Sequence, residues 1–186
     1  IIDSDTGQNI FSNTDGSASP FFFQYVAGLQ KYIPKAMPIF APYVNSYRRL
    51  TRNMSAPINV SWGYDNRTCG IRIPNSKPQA RRIENRVPGV DVNPYLALAT
   101  TLACGYLGIS ETLKPTEPTY DNAWETEADF PRNLEYALRR MRNCTELSDL
   151  LGEQFLKAFG EVKALEHATY KRVISSWERE HLQLHV

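Results

Sequence analysis

The chain is poor in the residues that build the commonest dedicated sites. It has three cysteines and three histidines in 186 residues. Cys69, Cys104 and Cys144 are odd in number and lack metal-ligand spacing. That excludes a zinc ribbon or a disulfide framework and makes free thiols in a reducing cytoplasm the expectation. His167, His181 and His185 all fall in the C-terminal part. His181 and His185 stand four apart, but no acidic base lies between them as in a metalloprotease motif, so they read as surface residues. Net charge is nearly absent too, at +1. A nucleic-acid binder carries a basic excess over the domain, and this chain does not. Nor is there a membrane span or a signal peptide in the pattern. The longest uncharged run lies between Asp91 and Glu111, and its apolar core, Tyr95 to Leu107, is too short for a bilayer and interrupted by Gly105. It reads as a buried helix. No internal repeat is visible. At 42% hydrophobic and 22% charged, the composition excludes disorder and fits one ordinary domain.

What the chain does have is gathered arginine. From Asn45 to Arg86 it carries Arg48, Arg49, Arg52, Arg67, Arg72, Arg81, Arg82 and Arg86 with Lys77, against only Asp65 and Glu84. Arginine is suited to bidentate capture of carboxylate and phosphate. Such local charge in a nearly neutral chain fits a small polyanion, such as a nucleotide with its metal. The centre of this region is Ala80 to Val87. Read as a strand, it puts Arg82, Glu84 and Arg86 on one face and Ile83 and Val87 on the other, about 6.5–7 Å between same-face neighbours. Cation, carboxylate and cation in a row can meet three anionic or metal-bound groups of one extended substrate.

Residues 3 to 20 read as loop or hairpin. Ser19-Pro20 opens a helix over Phe21 to Tyr32 with an aromatic face. Pro34, Pro38 and Pro42 are expected to cut the next stretch into short pieces. Pro57 to Val87 is β in character, with Ile58, Val60 and Trp62 alternating, then Cys69, Ile71 and Ile73. Gly70 and Arg72 share the opposite face, so Arg72 can join Arg82, Glu84 and Arg86. Asn93-Pro94 is an N-cap with proline at the first helical position, and Gly108 is the expected stop. An acidic loop over 111–130 follows. Further helices are expected from Pro131 to about Arg142, from Thr145 to near Gly160, and from Glu161 to His181.

The segments Asn45-Ser-Tyr-Arg-Arg-Leu50, Asp65-Asn-Arg-Thr68, Ile71-Arg-Ile-Pro74, Arg81-Arg-Ile-Glu-Asn-Arg86 and Asn93-Pro-Tyr95 together resemble the C-terminal catalytic part of the glutamine synthetase family, in order and nearly at family spacing. The resemblance covers almost the whole chain, 1–186. It implies an α+β fold, an antiparallel sheet bearing the site and C-terminal helices covering it. It implies a ligase that makes γ-glutamyl phosphate from ATP and glutamate, after which an amine displaces the phosphate. By position, Arg49 and Arg86 match arginines on the glutamate side. Arg67 matches the arginine that reaches the transferring phosphoryl group. Arg72 and Arg82 match nucleotide-phosphate arginines, and Glu84 matches a metal ligand for Mg2+ or Mn2+. The family assembles as stacked homo-oligomeric rings with shared sites.

Two departures from the family pattern carry expectations. The chain opens on Ile-Ile-Asp, just after the place of the family's His-containing metal strand. It therefore reads as part of something longer, and the piece alone is expected to be inactive. Second, ammonia-using members carry a flap with Pro-Gly and a glutamate just before Ala-Pro. Here the stretch is Thr51-Arg-Asn-Met-Ser-Ala-Pro57, with Arg52-Asn53 for Pro-Gly and Ser55 for the glutamate. A neutral hydroxyl is neither an anionic ammonium site nor a base near neutral pH. This flap, with Trp62-Gly-Tyr-Asp-Asn-Arg-Thr68, looks more like γ-glutamylpolyamine or γ-glutamylamide synthetases. The alternatives are an ordinary ammonia-dependent glutamine synthetase and a non-catalytic structural relative. Trp124 lies roughly where some bacterial members carry a tyrosine that is adenylylated, so no such regulation is expected.

Overall fold

The computed structural model describes residues 1–52 and 54–182; His185, half of the C-terminal histidine pair, lies outside them. Seven α-helices and three short strands are found among these residues. They are α1 (Pro20–Phe40), α2 (Val44–Arg49), β1 (Trp62–Tyr64), β2 (Ile71–Ile73), β3 (Glu84–Asn85), α3 (Pro94–Ser110), α4 (Leu134–Arg142), α5 (Thr145–Leu151), α6 (Glu153–Lys171) and α7 (Ser176–Leu182).

α1 starts where the sequence places it. The Ser19 hydroxyl accepts from Phe22 N at 3.3 Å, with Pro20 in the first turn. It does not stop at Pro34 or Pro38, as expected, but runs through both. A proline inside a helix costs about 3 kcal/mol. The turns around these two are buried, with Ile33, Ala36, Met37, Ile39 and Phe40 all in the core, and that burial offsets the lost backbone bonds. α3 lies along α1. Gly28 and Gly108 let the two backbones touch. A Cβ on Gly28 would sit 2.7 Å from Gly108 Cα, and one on Gly105 would run into the Tyr25 ring. α3 passes Gly108, the expected stop, by two residues before Thr112 takes a left-handed φ of 54°.

The sheet is mixed rather than antiparallel. β1 runs parallel to β2, with Gly63 opposite Arg72, while β2 and β3 are antiparallel, with Arg72 opposite Glu84. Parallel neighbours usually need a connection of a dozen or more residues. Here the link is only residues 65–70. It closes because Asp65 adopts φ 49° and Asn66 fixes the loop from both ends of its amide. Asn66 Oδ1 accepts from Thr68 N at 3.0 Å, and Nδ2 donates to Thr119 O and Asp121 O at 3.0 and 2.9 Å. The expected strand over 80–87 shrinks to Glu84–Asn85, because Pro78–Ala80 is a 3-10 turn and Arg81 is drawn away. The Arg81 guanidinium donates to Ser12 Oγ and Ser17 O at 2.7 Å and to Gly16 O at 2.9 Å, fastening the N-terminal loop. Ile83 and Val87 do face the core, as the alternation required.

The C-terminal helices are also redivided. α4 begins after Asn133, whose side chain accepts from Tyr136 N at 2.9 Å, and not at Pro131. The helix expected from Thr145 to Gly160 breaks at Gly152, φ 94°, a conformation glycine takes without strain. The helix expected over 161–181 is the second half of α6 plus α7. The break is signed by a reciprocal cap: Ser175 N donates to Glu178 Oε2 at 2.7 Å and Glu178 N to Ser175 Oγ at 3.2 Å. All three cysteines are free and buried. No helix among the described residues is long and apolar enough to cross a membrane.

Gly28→Val should destabilise the fold by about 3 kcal/mol or more, since the added carbons have only backbone to displace. A urea midpoint that stays at the wild-type value would refute the close contact of α1 with α3.

Candidate functional site

The cross-strand pair Arg72–Glu84 places a cation and a carboxylate side by side on one face of the sheet. Arg72 Nη1 donates to Glu84 Oε2 at 2.8 Å, and its Nε donates to Asp65 Oδ1 at 3.1 Å. Asp65 is therefore a second partner, and it keeps the Arg72 guanidinium firmly protonated. On the other side of Glu84, Arg86 Nε lies 3.6 Å from Oε1. The result is a line of alternating charge, Asp65, Arg72, Glu84, Arg86. Burial pulls the Arg86 pKa below its ordinary value, and the neighbouring Glu84 opposes that pull.

Arg49 sits at the end of α2. It is half-buried, which pulls its pKa down, while Asp91 nearby pushes it back up. Its Nη2 donates to Val87 O at 2.6 Å, so it meets the chain just past β3. The Asp91 carboxylate accepts from Ser46 Oγ at 2.5 Å. A Cβ on Gly89 would meet Asp91 Oδ1 and come within 3.1 Å of Arg49 Nη2. Glycine is thus what lets the backbone pass between that carboxylate and that guanidinium. Sequence reasoning missed Asp91 and Asp65 as partners of site arginines. Asp65 was signalled by its place in the turn before Arg67, Asp91 by nothing local.

Arg67 and Arg82 are exposed, and among the described residues neither pairs with a carboxylate. Arg82 only approaches Ala80 O, at 3.5 Å. The structure therefore unites Arg72, Glu84 and Arg86 as expected and leaves Arg67 and Arg82 free at the rim. Ser55 enters through its backbone: its carbonyl accepts from Arg86 Nη2 at 3.1 Å. Trp124 is structural, its indole donating to Ala56 O at 3.2 Å. His181 is exposed and stacks on Trp177 at 4.8 Å. Among the described residues no three His, Cys, Asp or Glu side chains converge as a metal cage. Glu84 offers an oxygen of the kind a divalent ion takes, although Arg72 holds Oε2 at 2.8 Å.

Comparison with known proteins now places the chain. Residues 2–182 match the family described as glutamine synthetase, catalytic domain. The chain belongs to the glutamine synthetase family. It is 35% identical over 175 residues to the gamma-glutamylputrescine synthetase PuuA of Escherichia coli, covering 94% of this chain and 37% of that protein. It is 32% identical to the glutamine synthetase of Halobacterium salinarum, covering 96% of this chain and 41% of that one. Against the glutamate–isopropylamine ligase of a Pseudomonas species it is 32% identical, covering 92% of this chain and 39% of that one. The solved structure of apo GmaS superposes with a TM-score of 0.84 at 32% identity, over 96% of this chain and 42% of that one. The chain thus spans about two-fifths of the length of these relatives.

Asp65→Val should cost about 1–3 kcal/mol more than Asp65→Asn, because asparagine tolerates a left-handed φ and valine does not. Chemical unfolding of the two variants side by side measures the difference; equal midpoints would mean the turn is not strained.

Proposed function

We propose that this chain is the C-terminal portion of the catalytic domain of an ATP-dependent carbon–nitrogen ligase. The enzyme joins the γ-carboxylate of glutamate to an organic amine by way of γ-glutamyl phosphate. The observation that carries the reading is the contiguous line Arg72, Glu84, Arg86, with Arg67 and Arg82 nearby and, among the described residues, without a carboxylate partner. In the proposed arrangement Arg72 and Arg82 hold nucleotide phosphates, and Arg67 meets the transferring phosphoryl group. Arg49 and Arg86 stand on the glutamate side. Mg2+ or Mn2+ bound at Glu84 would neutralise phosphate charge. Phosphoryl transfer depends largely on positioning and charge neutralisation, for which guanidinium groups are suited. The stacked-ring assembly of the family and a cytoplasmic site of action complete the proposal.

An organic amine is preferred to ammonia on the strength of Ser55. A serine supplies no anion to hold ammonium and no base to deprotonate it. Relatives named for putrescine and isopropylamine support an amine acceptor. Relatives named simply glutamine synthetase match equally well, which favours ammonia as the second reading. The intact protein decides: turnover divided by Michaelis constant is compared for ammonium, putrescine, spermidine and simple monoamines. The expected order puts a di- or polyamine first, and a clear win for ammonium installs the second reading. Ser55→Glu should move the preference toward ammonium.

Glu84→Ala in the same protein should abolish metal-dependent phosphate release while shifting thermal unfolding little. Glu84 is partly exposed, and the apolar side of β3 is untouched by the change. Near-normal turnover would remove Glu84 from the site.

A further inference from the structure

Arg48 belongs to the gathered arginines of the sequence, and the ligase reading gives it no task. It lines a cavity of about 190 Å³ together with Tyr47, Arg132, Asn133 and His167. Three elements meet there: α2 supplies Tyr47 and Arg48, the turn before α4 supplies Arg132 and Asn133, and α6 supplies His167. The cavity shares no residue with the line Asp65, Arg72, Glu84, Arg86.

Its walls are suited to negative charge. Among the described residues neither Arg48 nor Arg132 pairs with a carboxylate. Arg48 only approaches the Tyr170 hydroxyl, at 3.5 Å, and the His167 ring stacks on Tyr170 at 6.5 Å. Two carboxylates stand close by. Glu166 lines an adjoining cavity, and Glu135 lies in the first turn of α4. Each is already taken by a lysine, Glu166 by Lys163 at 2.8 Å and Glu135 by Lys171 at 2.5 Å. The start of α4 adds the positive end of a nine-residue helix. The Asn133 side chain takes Tyr136 N, while the N–H groups before it have no partner within the helix.

Tyr47 supplies the second, independent observation. It is only 7% exposed, and its hydroxyl has no hydrogen-bond partner among the described residues. A buried hydroxyl left alone costs stability, and in a native protein it calls for a bound water or ion. Burial pushes the Tyr47 pKa up, so the phenol stays protonated and can donate.

We infer that this cavity binds a small tetrahedral oxyanion of the phosphate class. Its volume is below the range of about 300–1,000 Å³ that drug-sized ligands occupy, which limits the occupant to a small group. A planar carboxylate is satisfied by the paired N–H groups of one arginine. Donors spread over three elements suit an anion with oxygens on every side. The site lies outside the ligase reading and does not depend on it.

The test titrates the intact protein with inorganic phosphate at low salt, followed by calorimetry. Arg48→Gln and Arg132→Gln should each weaken binding about tenfold, the loss expected for one charged hydrogen bond. Both residues are exposed, so the variants should fold. Arg82→Gln should leave this binding event unchanged, which separates it from phosphate taken up at the proposed nucleotide position. Succinate titrated in parallel should bind about tenfold more weakly than phosphate. Tyr47→Phe should weaken phosphate binding without lowering the urea midpoint of the phosphate-free protein, because it removes an unpaired hydroxyl. Crystals soaked in tungstate should show an anomalous peak between Arg48 and Arg132. No uptake of phosphate overturns the inference and leaves water as the partner of Tyr47. So does binding that Arg82→Gln abolishes while both other arginine variants keep it. Tighter binding of succinate than of phosphate overturns the assignment to a tetrahedral anion. If the arginine variants do not fold, the tungstate peak in the wild type decides, and its absence from the cavity overturns the site. A protein that couples no amine to glutamate overturns the proposed function and leaves each of these readings as it stands.

Discussion

Two helix backbones meet in this protein where neither has a side chain in the way. Gly28 on α1 and Gly108 on α3 bring the helices closer than any pair of larger residues could, and Gly105 accepts the ring of Tyr25. The contact explains why α1 runs on through two prolines. Once α1 is clamped to α3 and its far turns are enclosed by core, the cost of the prolines is outweighed by burial. The end of α1 then sets where the chain turns into α2, and α2 delivers Arg49. The start of α3 is equally fixed by Asn93, whose side chain accepts from Tyr95 N at 3.0 Å. Asp91 and Gly89 lie just before that cap. Arg49 and Asp91 therefore face each other because the two helices that lead to them cannot slide.

On the sheet the constraint is electrostatic. Arg72 and Arg86 project near one another, and two guanidinium groups so close repel unless something stands between them. Glu84 does. It sits opposite Arg72 across the strands and two residues before Arg86, so one carboxylate serves both. Asp65 takes the outer side of Arg72. Pairs whose carboxylates stay open to water, as Glu84 and Asp65 do, contribute little stability, about 0–1 kcal/mol. Their effect is to hold long side chains in one orientation. Arg67 and Arg82 have no such partners among the described residues, and they remain available to an incoming anion. The arginines thus divide into oriented and unpaired ones, and the division follows from where the acidic residues fall.

Much of this was legible in the sequence where the signal is local. The N-caps at Ser19 and Asn93, the β2 alternation and the common face of Arg72, Glu84 and Arg86 all follow from patterns a few residues long. What failed was non-local. The mixed sheet depends on a six-residue link made possible by Asp65 and by Asn66 reaching residues near 120. The shortened β3 depends on Arg81 being captured by a loop some seventy residues earlier in the chain. Alternation treats Arg81 and Arg82 as neighbours on a ladder, and neither lies in a paired strand. The Ser175 and Glu178 cap was readable as a capping box, but a long charged amphipathic pattern masked it.

The family relationship leaves the acceptor open, since relatives named for glutamine, for putrescine and for isopropylamine match at nearly the same identity. The discrimination has to come from the few groups that meet the nucleophile. Ammonium is small and strongly hydrated, so holding and deprotonating it needs an anion at the point of attack. A longer amine can be held by its carbon chain and its far end, which relaxes the demand at that point. With Ser55 placed beside the nucleophile, as proposed, serine suits the second case and is poorly matched to the first. Its hydroxyl can accept one hydrogen bond from an amine while the backbone beneath it stays fixed by Arg86. On the proposed reading, specificity would come from the missing charge at position 55, on a backbone whose carbonyl Arg86 holds.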